Sequence, residues 1–62
     1  MEDKLYDALN QMKPGCARVI FGLIVWKINK NSFQVGEEVG PDSEAVQESY
    51  AVEMLLQASK IW

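Results

Sequence analysis

Between Arg18 and Lys27 the chain carries eight consecutive residues without a polar side chain, Val19 to Trp26. A membrane-spanning helix needs about 20 such residues, so this stretch belongs to a core or an interface. Its β-branched and aromatic content favours extended backbone, and residues 16–28 read as one long strand. A buried helix is the competing reading, because a continuous apolar run has no period to arbitrate. Gly22 weakens a helix by about 1 kcal/mol against alanine, and in a strand it marks a bend or bulge.

The flanks place this strand in an α+β chain of order α-β-β-α, a single small domain over residues 1–62. Leu5, Ala8, Leu9 and Met12 recur at helical spacing, which predicts a first helix over 2–13. Glu2 and Asp3 complement its positive end, and Pro14-Gly15 stops it. Asn29-Lys30-Asn31-Ser32 is turn chemistry. Residues 33–39 then predict a returning strand that ends at Gly40-Pro41. Asp42 or Ser43 is the expected cap of a second helix running to about Lys60.

A four-residue turn over 29–32 would set Ile28 opposite Phe33 and Trp26 opposite Val35. One side of the hairpin would then carry Ile20, Ile24, Trp26 and Ile28 with Phe33, Val35 and Val39, a coherent core face. Val19, Phe21, Leu23 and Val25 would lie on the other side, where the second strand offers Gln34, Gly36 and Glu38. The last helix shows a similar surplus. Val46, Tyr50, Met54, Ala58 and Ile61 make a main stripe, widened by Ala51, Leu55 and Trp62. Ala45, Val52 and Leu56 make a second, narrower one.

A chain of 62 residues buries only about 60% of its unfolded surface, and such domains lean on disulfides, metals or association. With one cysteine, Cys16, an internal disulfide is excluded, and with no histidine an ordinary zinc site is too. Association remains. The free apolar edge of strand 16–28 invites pairing with its symmetry mate, which would extend the hairpin to a four-stranded sheet across a two-fold axis. The expected interface residues are Val19, Phe21, Leu23, Val25, Val52, Leu56 and Trp62. The bland alternative is a monomer with one helix on each face.

Catalysis finds little support. Histidine is absent, no Ser or Cys has a His partner, and Glu37 and Glu38 point to opposite faces of a strand. No motif calls for a cofactor or a metal ion. The expected function is non-enzymatic: a homodimeric inhibitor or accessory protein, of the kind found on phages and mobile elements, that occludes a protein partner. Tyr6, Tyr50, Trp26 and Trp62 supply the side chains enriched at interface centres. The alternative is a small nucleic-acid-binding protein using Lys27 and Lys30 at the hairpin turn. Six basic residues against nine acidic give a net charge of −3, which argues against it. The acidic start lacks a signal-peptide pattern, so a cytoplasmic protein without membrane contact is expected.

Overall fold

The computed structural model describes residues 2–62. Helix α1 (Glu2–Gln11) leads into strands β1 (Ala17–Ile20), β2 (Leu23–Asn29), β3 (Ser32–Gly36) and β4 (Val46–Gln47), and helix α2 (Glu48–Ser59) closes the chain. The strands form one antiparallel sheet in the order β1-β2-β3-β4. The class is α+β, with two more strands than the α-β-β-α order expected. The four strands come from one chain, so no symmetry mate is needed to complete the sheet.

Helix α1 stops as its sequence dictates. Pro14 and Gly15 occupy the centre of a turn closed by Cys16 N–H donating to the Lys13 carbonyl at 3.0 Å. Gly15 takes φ 90, the left-handed value that a type II turn needs at its third residue. Gly15 N–H then donates to the Lys27 carbonyl, while Lys27 N–H donates to the Cys16 carbonyl. Two residues thus oppose one, a bulge that carries the chain from the turn into β1.

The long strand expected over 16–28 is instead two. Phe21 and Gly22 adopt φ 51 and φ 79, the doubly positive pair of a type I′ hairpin turn, and Ile20 pairs with Leu23 across it. Gly22 accepts that backbone freely. Phe21 pays roughly 1–2 kcal/mol for a left-handed conformation, offset by packing of its ring against the core. The apolar run therefore folds back on itself, and β1 covers the edge of β2 that was expected to be free.

The β2–β3 register also differs from expectation, by one residue. Asn29 pairs with Ser32 around a two-residue turn, and the register shifts at Ile28, so Lys27 stands opposite Phe33 and Val25 opposite Val35. A slip of one residue turns every side chain of a strand to the other face. Phe33 and Val35 face the helices as expected, but they are joined there by Leu23, Val25 and Lys27. Ile24, Trp26 and Ile28, assigned to the core from the sequence, lie outside it.

Lys27 explains why this register holds. It is 5% exposed, and its ammonium donates to the Leu9 carbonyl in the last turn of α1 at 2.9 Å. That carbonyl also accepts from Met12 N–H at 3.3 Å, so the ammonium is its second donor, and a cation there complements the negative end of the helix dipole. The Nζ atom also stands 5.7 Å from the centre of the Phe33 ring, within cation–π range.

The core consists of Leu5, Leu9 and Met12 from the α1 region, Val25 and Phe33 from the sheet, and Ala51, Val52 and Leu55 from α2. Helix α2 starts later than expected, because residues 46–47 pair with β3 as β4. Its N-cap is Gln47, without a side-chain hydrogen bond. Ser43 does not cap a helix; it closes a loop, its hydroxyl accepting from Gly40 N–H at 3.1 Å and its own N–H donating to the Gly40 carbonyl.

Two stability outcomes follow. Lys27→Met keeps the stem but removes the charged hydrogen bond to the Leu9 carbonyl, leaving it only the longer bond from Met12 N–H, and is expected to lower stability by about 1–3 kcal/mol. Urea unfolding should show this, with hydrogen exchange accelerated most in α1. Gly22→Ala must hold a left-handed backbone, and its methyl would stand 2.6 Å from Cζ3 of Trp62. It is expected to cost about 1 kcal/mol or more, and adding Trp62→Ala should return the steric part in a double-mutant cycle.

Candidate protein-binding surfaces

The expected interface residues separate into three groups. Val25 is fully buried and Val52 is 1% exposed, so both belong to the chain's own core and neither can meet a partner. Val25 is there because of the register shift. Val52 is there because α1 lies along that flank of α2, so the second apolar stripe of the helix faces α1.

Phe21, Leu23 and Leu56 are partly buried and pack against the core. Val19 and Trp62 stand out, at 66% and 78% exposed. The Trp62 indole lies over Gly22, so it folds back on the hairpin turn that makes room for it.

The surface that sequence reasoning missed is the side of the sheet turned away from the helices. Directly paired residues share a face, so Val19, Ile24 and Gly36 belong together, as do Ala17, Trp26 and Gln34. Ala17 and Val19 are exposed, Ile24 and Trp26 half-buried, and Ile28 is 37% exposed at the bulge. Gln34 alone on this face is closed off. Its amide donates to the Ser43 carbonyl at 3.0 Å, while its Oε1 is buried without a partner. Val19 was expected on this side and lies there; Ile24 and Trp26 alternate along β2, but the one-residue register error turned them inward.

A second open surface runs along the flank of α2 away from α1. A cleft of about 580 Å³ has Val35 and Val46 as apolar lining and Glu44 at its rim. A smaller one of about 310 Å³ continues it past Leu23 and Glu53. Tyr50 and Met54, one helical turn apart, line both. Tyr50 is 55% exposed. The sequence places these two residues in the main apolar stripe of the helix with Val46, and Tyr50 among the side chains enriched at interface centres. The true core face of α2 is centred on Ala51, Val52 and Leu55, which leaves them at its margin.

The chemistry of the remaining groups is sparse. Cys16 is an exposed free thiol. Among the described residues no cluster of three metal-ligating side chains occurs, and no helix is long and apolar enough to cross a membrane. Lys27 and Lys30 do not form a pair at the hairpin: Lys30 is exposed at the turn, whereas the Lys27 ammonium is sequestered inside. The described surface therefore presents five cations against nine carboxylates. Comparison with protein-family models, curated proteins and solved structures yields no match to this chain.

Proposed function

We propose that this chain is a non-catalytic protein-binding module, a small inhibitor or accessory protein that works by covering part of a protein partner, and that it pairs with a second copy of itself. The observation that carries this reading is the apolar face formed by Ala17, Val19, Ile24 and Trp26, which no helix covers. A sheet in a small domain is stable when both faces are shielded or when the open one is polar. This one is only partly shielded: Gln34 is buried and Ile24 and Trp26 are half-buried, while Ala17 and Val19 stay exposed.

Surface area points the same way. The chain exposes 4414 Å², against roughly 4,000 Å² for a monomeric protein of its mass. The excess is modest, and the exposed large apolar side chains, Val19, Ile28, Tyr50, Ile61 and Trp62, would gain from leaving water at about 25 cal/mol per Å².

Self-association through this face has no electrostatic obstacle, since none of its residues carries a charge. Pairing edge to edge through β1 does have one. Of the registers that β1 offers its own copy, the one centred on Arg18 sets the two guanidinium groups directly opposite, and like charges there destabilise the pair. Face-to-face stacking of two sheets, about 10 Å apart, avoids that contact.

Sedimentation at tens of micromolar is expected to give about twice 7.0 kDa. Val19→Lys, at an exposed position, should return the single-chain mass with an unchanged circular dichroism spectrum. A single-chain mass for the unaltered protein would remove the homodimer. An unchanged double mass for Val19→Lys would move the interface elsewhere.

A further inference from the structure

The groove along α2 differs in kind from the uncharged sheet face, and its shape and charge specify an occupant. We propose that it receives an amphipathic helix from a second protein, one that carries lysine or arginine along its flanks. This deepens the protein-binding reading and rests on it, but it does not depend on self-association.

The geometry selects a helix. The floor is made by Leu23, Val35 and Val46, on the side of the sheet that already carries α1 and α2. One flank of α2 packs on α1 and the opposite flank is open, so an incoming helix would become the third member of an existing layer. Tyr50 and Met54 are separated by four residues and form a ridge of the kind that interdigitates with the i, i+4 rows of a neighbouring helix. From Tyr50 to Gln57 the open flank runs for two turns, about 10 Å. That length accommodates two or three apolar side chains of a partner spaced three and four residues apart.

The charges select the sign of the flanks. Glu44 stands at one end of the groove and Glu53 at the other, and neither cleft is lined by a lysine or an arginine. A helix flanked by cations would place them near both carboxylates, with the exposed ring of Tyr50 as a further cation-binding face. The same charges rule against a second copy as the occupant. The exposed side of α1 offers Glu2, Asp3 and Asp7 against Lys4 alone, and α2 carries Glu48 and Glu53 without a cation. Either helix would bring carboxylate to carboxylate.

The test titrates the whole chain, labelled at its methionine methyls and backbone amides, with two synthetic helical peptides. Both have about 14 residues and leucines at i, i+3, i+4 and i+7. One carries lysine on its flanks and the other glutamate. The lysine peptide is expected to bind about ten-fold or more tighter. Its shifts should centre on Met54, Tyr50, Leu23 and Val35, and affinity should fall as salt rises from about 50 to about 500 mM. Replacing both exposed acids, Glu44→Lys and Glu53→Lys, should reverse the preference between peptides, with amide dispersion confirming the fold. Val19→Lys should leave peptide binding unchanged, which separates this site from the self-association face. Equal affinity for the two peptides, shifts centred on Ile24 and Trp26, or no binding at roughly 1 mM peptide would each overturn the proposal.

Discussion

Lys27 places an ammonium group where the alternation of β2 would put an apolar side chain, and the rest of the fold is arranged around that position. Its main chain closes the bulge after the Pro14-Gly15 turn, accepting from Gly15 and donating to Cys16. Its side chain crosses the core to the last turn of α1. One residue therefore anchors the entry to β1, the register of β2 against β3, and the angle at which α1 meets the sheet. A buried lysine is tolerable only when its ammonium is hydrogen-bonded. The Leu9 carbonyl at a helix C-terminus, bonded otherwise only by Met12 N–H at 3.3 Å, supplies an acceptor with a free lone pair, and the Phe33 ring supplies a second favourable surface.

This arrangement also marks the limit of what the sequence made legible. The class, both helices, the break at Pro14-Gly15, and the core roles of Leu5, Leu9, Met12 and Phe33 follow from spacing and turn chemistry alone. The faces of β2 do not. A four-residue turn over 29–32, with Ile28 opposite Phe33, put Ile24 and Trp26 inside and Val25 outside, and it left Lys27 pointing to water; the observed pairing of Asn29 with Ser32 and the shift at Ile28 undo both. Lys27 tolerates the inward position because its four-carbon stem is long enough to lie in the core while its head finds a carbonyl. Gly22 was recognised as a singular position, yet the positive φ of Phe21 beside it could not be foreseen. Phenylalanine is a poor residue for that conformation, and it is held there by burial of its ring, a tertiary effect.

The hairpin at Phe21-Gly22 changes what kind of surface the chain leaves unfinished. A single strand over 16–28 would have presented a long apolar edge, open to any extended chain and hence prone to indiscriminate pairing. Folded back, the run covers its own edge, and the remaining edge strand β1 is four residues long with Arg18 near its middle. What stays open is a face, where contact depends on side-chain shape. The Trp62 indole over Gly22 reinforces the turn on which this conversion depends.

The two open surfaces therefore differ in character. The sheet face is apolar and uncharged, so it discriminates weakly by electrostatics and suits a partner of identical composition meeting it by symmetry. The groove is flanked by α2 and lined by Glu44 and Glu53 without a cation, which, with the helical partner proposed, would let it discriminate by charge. Withdrawing the Lys27 ammonium from the surface sharpens that discrimination, since the protein exposes fewer cations than its composition holds. The interaction that organises the core thus also deepens an acidic bias that the composition already sets: with the Lys27 ammonium engaged at the α1 terminus, the carboxylates outside keep five exposed counter-charges rather than six, and such a surface favours the approach of a basic partner.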